Sequence, residues 1–125
     1  MPMRKKNLNE IKSINDKILI GLTATVTVYG NPEKKVKARI DTGATRSSID
    51  TSLAAELHLG PIIKRKKIKS AHGSRLRPII EVEIKLEGKK IKTEFTVADR
   101  SHMKYGILIG QNALKKHFLI DPSID

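Results

Sequence analysis

Apolar and polar residues alternate with a period of two along several stretches of the chain, and each such stretch predicts a strand with one face turned inward. Residues 17–29, KILIGLTATVTVY, are rich in β-branched side chains and alternate from position 23 onward, giving one long strand or two shorter ones. Gly30, Asn31, Pro32 and Glu33 are turn chemistry. Residues 35–40 alternate basic and apolar, placing Val36, Ala38 and Ile40 on one face. A basic strand is expected over 62–69 and another over 75–86, where Val82, Ile84 and Leu86 alternate with Glu81, Glu83 and Lys85. Glu87-Gly88 makes a tight hairpin into a strand over 89–97.

Helical pattern is sparse by comparison. Residues 52–59, SLAAELHL, read as a short helix capped by Asp50 or Thr51 and ended by Gly60-Pro61. Residues 105–114, YGILIGQNAL, put three apolar residues and a glycine before a segment able to start a second helix. The expected fold class is therefore all-β and barrel-like, with one or two short helices.

Length fits one domain, since 125 residues bury about two-thirds of their unfolded surface. Residues 1–16 are polar and basic and are expected to form a tail ahead of a folded domain over 17–125. No apolar run reaches the roughly 18 residues of a membrane span. The first residues, MPMRKKNLNEIKS, lack the apolar core of a signal peptide. The chain has no cysteine, which fits a cytoplasmic protein.

Charge is the strongest compositional signal. A net charge of +12, from 25 Lys and Arg against 13 Asp and Glu, attracts nucleic acid, anionic lipid or acidic polypeptide. An aromatic content of 3% speaks against stacking on single-stranded nucleic acid. A lysine-rich solubilising surface accounts for the charge equally well. The histidines, His58, His72, His102 and His117, lie in separate segments without an H-E-x-x-H pair, and no phosphate-binding Gly-Lys-Ser/Thr loop occurs. No metal, nucleotide or other cofactor is expected.

The candidate chemistry lies in KARIDTGATRSS, residues 37–48. An apolar run ends at Ile40, and Asp41-Thr42-Gly43-Ala44 breaks it with a tight turn that presents a carboxylate. Alone, such a tripeptide is most simply a strand-ending turn. The second strand–glycine–helix unit, 109–114, reads with 40–43 as a pair of pseudo-symmetric halves.

In this order the two units resemble the retropepsins, the viral-type aspartic proteases, over residues 25–121. DTGATRSS, KSAHGSRLRPIIEVEI, ADRSHMKYGILIGQNAL and FLID more narrowly resemble the family labelled "ATP-dependent zinc protease" and found with RimK-type glutamate ligases. The resemblance implies a closed retropepsin-like barrel and an aspartic endopeptidase. It carries one DTG, so the chemistry implies a homodimer in which Asp41 of each subunit meets at the two-fold axis. Two carboxylates about 3 Å apart share a proton and can act as base and acid on a water and a peptide bond. By the same resemblance, Thr42 braces the loop across the axis, Ala44 completes it, and Gly43 offers its carbonyl to the substrate backbone. A hairpin over 66–79, tipped by Ala71, His72 and Gly73, takes the place of the flap that closes over an extended peptide.

Some positions depart from the viral pattern. Thr45 and Gln111 stand where those enzymes carry an acid–arginine pair that braces the dimer, so a hydrogen bond is left to replace it. Arg46 stands where an acid often faces substrate, which suggests a cleft preferring acidic peptides such as oligoglutamate. Asp99-Arg100 is expected to form a structural salt bridge near the floor of the site, and Asp121 to end a strand. The "zinc" of the label finds no ligand pattern here, and His72 is the histidine placed to meet substrate. The alternative is a non-catalytic barrel that holds an acidic protein or RNA on its basic surface; a membrane is not an expected partner, and nucleic acid is the less expected of the two.

Overall fold

A computed structural model describes residues 16–125 apart from His72; residues 1–15, and with them nearly all of the expected basic tail, lie outside the described residues. The strands are β1 (Ile18–Ile20), β2 (Thr23–Val28), β3 (Lys34–Ile40), β4 (Ser47–Asp50), β5 (Ile62–Ser70), β6 (Gly73–Leu86), β7 (Lys89–Ala98), β8 (Ile107–Ile109) and β9 (Phe118–Ile120). Two short helices, α1 (Thr51–Glu56) and α2 (Gln111–Leu114), follow β4 and β8.

Six strands close into a barrel in the order β2-β3-β8-β4-β7-β6, with β6 returning to β2, and β5 is added outside the ring on β6. The β3–β8 and β4–β7 pairs are parallel and the other neighbours antiparallel. Alternation drives closure: Val82, Ile84 and Leu86 point inward while Glu81, Glu83 and Lys85 stay exposed. Val26, Val28, Ile49, Phe95, Ile107 and Ile109 are fully buried as well. Burying each such side chain is worth about 1.5–3 kcal/mol. Glu87 and Gly88 both take positive φ, 48° and 81°, as a two-residue hairpin with the twist of its strands requires.

The region 17–29 resolves into two strands, because Gly21 passes so close to Ile124 that a side chain would collide with its carbonyl. Leu22 N–H then donates to the Ile124 carbonyl at 2.7 Å. β1 instead pairs in parallel with β9, with Ile18, Leu19 and Ile20 opposite Phe118, Leu119 and Ile120. Strand β4 is an addition to the sequence reading. It is four residues long and holds two serines, too little periodicity to register alone, yet it is buried between β7 and β8. Helix α1 begins at Thr51, capped by the Asp50 carboxylate, which accepts from Ser52 N–H at 3.1 Å. No helix among the described residues is long and apolar enough to cross a membrane.

Candidate active site

Asp41 sits where β3 leaves the barrel. Its N–H donates to the Ile109 carbonyl at 2.9 Å, so the ladder with β8 extends one residue beyond the strand. Its carboxylate Oδ1 accepts from Gly43 N–H at 2.9 Å and its carbonyl from Ala44 N–H at 3.2 Å. These two bonds curl the DTG loop on itself and leave Asp41 half-buried, with Thr42 and Gly43 exposed.

The second strand–glycine–helix unit packs directly against this loop. Gln111 N–H donates to Ala44 O at 2.8 Å, Asn112 N–H to Thr45 O at 3.3 Å, and Gln111 Nε2 to Thr42 O at 2.7 Å. The side chain of Gln111 thus bonds the backbone of its own chain at Thr42, three residues before Thr45. Gly110 is where the two loop segments nearly touch: a Cβ there would collide with the Arg46 carbonyl and lie 2.9 Å from Ala44 O.

Beneath the loop, Ser47 is 0% exposed and Asn112 serves it on two sides. Asn112 Oδ1 accepts from Ser47 N–H at 3.0 Å and Ser47 Oγ at 2.8 Å, while Nδ2 donates to Glu94 O at 2.8 Å. Ser47 Oγ accepts in turn from Gly110 N–H at 3.1 Å. Buried Ser47 and half-buried Asn112, satisfied in this way, pin β4, β7, β8 and α2 to one another. Sequence reasoning passed over both residues; the available signal was a pair of polar side chains at the ends of apolar runs.

An open cleft of about 620 Å³ lies beside the loop. Its floor includes Ser48, Thr96 and Leu108, and its walls carry Gly43, Ala44, Arg46 and the cations Lys66, Lys67, Lys69 and Arg77, with no acidic residue in the lining. The last four belong to the β5–β6 hairpin, in which Lys66 faces Arg77 and Ser70 faces Gly73. Ala71 is exposed in its turn and Gly73 opens β6 at φ 109°; the expected substrate contact of His72 lies outside the described residues. Like charges facing each other across a strand pair are destabilising without a counter-ion. Arg46 is partly engaged, with Nη1 3.5 Å from Glu94 Oε1, while Lys64 approaches Oε2 at 3.2 Å.

The expected Asp99–Arg100 bridge does not form. Asp99 instead accepts from Ser101 N–H at 2.9 Å, and that serine holds its carboxyl below the usual range. Arg100 spans to other partners, its N–H donating to Asp50 Oδ1 at 2.7 Å and its Nε to Tyr105 O at 3.1 Å. Asp50 therefore caps α1 and anchors the 99–106 loop together. Asp121 follows β9, as expected of a strand end, with its Oδ1 accepting from Ser123 N–H and Oγ. Among the described residues no three His, Cys, Asp or Glu side chains are grouped to hold a metal ion.

Comparison with known proteins agrees with this architecture. Residues 54–125 match the family described as retropepsin-like aspartic endopeptidase RimB. A protein named as a probable alpha-L-glutamate ligase of Shewanella pealeana is 31% identical over 113 residues, covering 70% of this chain and 25% of the ligase. DNA damage-inducible protein 1 of Saccharomyces cerevisiae is 35% identical over 86 residues, covering 66% of this chain and 19% of that protein. This chain thus spans about a quarter or less of the length of these curated relatives. Among solved structures, a Legionella pneumophila protein of unknown function superposes with a TM-score of 0.61 at 20% identity, covering 85% of this chain and 94% of its own. The simian foamy virus protease gives 0.57 at 22% identity, over 74% and 91% respectively. A closed barrel with a DTG loop braced by a second strand–glycine–helix unit, and a match over more than half its length, make this chain a member of the RimB-like family of retropepsin-like aspartic endopeptidases.

Proposed function

We propose that the chain is an aspartic endopeptidase that works as a homodimer, with Asp41 of two copies sharing a proton at the two-fold axis. In this reading one carboxylate takes a proton from a water as it attacks the peptide carbonyl, and the other, protonated, gives its proton to the carbonyl oxygen. Collapse of the tetrahedral species breaks the C–N bond and passes a proton to the leaving amine. Gly43 and Ala44 hold the substrate backbone from below, and the hairpin tip, Ala71, His72 and Gly73, covers it from above.

The observation that carries this reading is the position of Asp41. It stands at the end of a barrel strand, in a loop tied by its own Oδ1, at the margin of an open cleft roofed by a hairpin. That cleft also supports a preference for acidic peptides. Arg46, Lys66, Lys67, Lys69 and Arg77 line it without an acid among them, and the flap cations are better placed than Arg46, which already leans on Glu94.

The test is hydrolysis of paired Glu-rich and Lys-rich peptides by wild type, Asp41→Asn and Arg46→Glu, alongside the mass in solution. Loss of cleavage in Asp41→Asn by several orders of magnitude, a dimer, and faster cleavage of the Glu-rich peptide support the proposal. Unchanged hydrolysis in Asp41→Asn ends the assignment to this site.

A second reading follows from the ligase relatives, in which the matching stretch is a quarter of a longer chain. There the barrel would be a binding module that holds an acidic polypeptide or RNA on the same basic cleft without cutting it. Salt-dependent binding without hydrolysis is its signature.

A further inference from the structure

A second cationic hollow, of about 500 Å³, opens between the first half of β7 and the residues that follow α2. Lys90, Lys92, Lys115, Lys116 and His117 line it with Thr93, and neither an acid nor an arginine belongs to the lining. It shares no residue with the cleft beside Asp41. A shallow saddle joins the two, with Thr45 and Arg46 from the cleft, Lys92 and Thr93 from the hollow, and Glu81 and Glu94 added. Ion pairs neutralise that saddle. Lys92 lies 3.7 Å from Glu81, while Arg46 at 3.5 Å and Lys64 at 3.2 Å flank Glu94. An anionic chain in the cleft therefore finds no continuous track of free charge into the hollow, which suits a ligand of its own.

Within the hollow the charge is not neutralised. Among the described residues Lys89, Lys90, Lys115 and Lys116 have no acidic partner. Lys90 rests 5.1 Å over the Tyr29 ring, and Lys17 donates from Nζ to the Lys116 carbonyl at 2.6 Å. Lys85 stands directly across the β6–β7 ladder from Lys90, and like charges so placed cost stability. Half-buried His117 registers the sum. Burial first, then Lys89, Lys17 and Lys116, push its pKa below the ordinary 6.5, and among the described residues no acid opposes them. Cations kept together at such a cost make a field for a polyanion.

The lining also selects among polyanions. Lysine is a point charge without the planar fork by which arginine grips a carboxylate in two bonds. The cleft has that fork in Arg46 and Arg77, and the hollow lacks it. A nucleic-acid duplex carries a charge every ~1.7 Å of its axis, against at most one per ~3.3 Å of extended peptide, and its backbone calls for charge more than direction. An aromatic content of 3% leaves few rings for stacking unpaired bases, which favours a double-stranded segment held by its backbone. Thr93 adds a hydroxyl, a partner for the 2′-hydroxyl that marks RNA.

We infer that this hollow is a docking site for the backbone of double-stranded RNA, with Lys90, Lys115 and Lys116 neutralising phosphates beside His117 and Thr93 meeting a ribose hydroxyl. The site is separate from the cleft and stands whether or not the chain cuts peptides.

The test titrates the full chain with an RNA hairpin, a DNA hairpin of the same sequence, and polyglutamate. The RNA hairpin is expected to bind, weakening roughly tenfold or more for each doubling of salt, as contact with about four phosphates or more requires. Lys115→Gln with Lys116→Gln should weaken it roughly tenfold and flatten the salt slope by about two, with peptide hydrolysis unchanged. Lys90→Gln probes the same hollow from β7, and thermal unfolding of each variant reports folding. Lys66→Gln with Lys67→Gln, in the flap, should leave RNA binding in place. The His117 pKa followed by NMR should rise when the hairpin binds, because phosphates offset the lysines around it. RNA binding that is absent at low salt, or that follows Lys66 and Lys67 in place of Lys90, Lys115 and Lys116, overturns the inference. So does a His117 pKa that stays put, a DNA hairpin that binds as tightly, or polyglutamate that competes at equal charge with the same dependence on Lys115 and Lys116.

Discussion

Gln111 donates from Nε2 to the carbonyl oxygen of Thr42 across 2.7 Å, and its own N–H reaches the Ala44 carbonyl at 2.8 Å. One residue of α2 therefore holds both ends of the turn that carries Asp41. The side chain is exposed, so Gln111→Ala should cost stability only the net worth of one hydrogen bond, about 0.5–1.5 kcal/mol. Cleavage should suffer more, because the turn it releases positions the carboxylate. Denaturant unfolding beside kcat and KM checks this, with the loss expected in kcat.

Gly110 and Gly43 should respond differently to alanine. At Gly110 the added carbon meets backbone, with Arg46 C 2.6 Å and Ala44 O 2.9 Å away, and neither can rotate aside. Gly110→Ala should destabilise by about 1–3 kcal/mol or more. At Gly43 the one near atom is Asp41 Oδ1 at 3.3 Å, so Gly43→Ala should fold almost normally and shift the carboxylate. Thermal unfolding of both variants, with activity of the second, separates the two effects.

Asn112→Asp should be worse than its size suggests. It keeps an acceptor for Ser47 but replaces the Nδ2 donor with an oxygen facing Glu94 O, at a distance now 2.8 Å. Leaving a buried polar group unpaired costs about 1–3 kcal/mol, and a charge there costs more. Ser47→Ala should be milder, since it removes one hydroxyl and leaves the Gly110 amide in need of a partner. Denaturant midpoints of the two variants should fall in that order.

His117 gives stability a pH dependence near neutrality. Burial beside Phe118, then Lys89, Lys17 and Lys116, push its pKa below the ordinary 6.5. The unfolded chain therefore binds a proton before the folded one does, so stability falls as pH drops through and below 6.5 and its His117 share is complete above it. His117→Gln should reduce that slope in denaturant midpoints measured between about pH 5 and 8.

Period-two patterning made most of the ring legible. Val82, Ile84 and Leu86 against Glu81, Glu83 and Lys85, and Val36, Ala38 and Ile40 against lysine and arginine, marked strands together with their inner faces. Ser47, Ser48, Ile49 and Asp50 offered no such pattern, and β4 exists because neighbours on both sides pair with it. Asp41 and Gly43 could be found because a local turn carries them, and Gly110 because it repeats the strand–glycine–helix pattern, although what requires a glycine there, the approach of Arg46 and Ala44, comes only with the fold. Ser47, Asn112 and Glu94 could not, since their meaning comes from partners more than 15 residues away. The Asp99-Arg100 expectation failed for a related reason. Adjacent residues on a turn diverge, and each found a partner elsewhere, Ser101 for one and Asp50 and Tyr105 for the other.

β5 joins the ring through β6 alone, so its far edge presents open backbone donors and acceptors to solvent. Such a margin invites any passing extended chain to stick. Five of its nine residues are lysine or arginine, which turns away strands of its own kind by repulsion. A negatively charged chain meets no such barrier, and the device that keeps copies of this protein from aggregating side by side thereby sorts by charge what may come to rest against it.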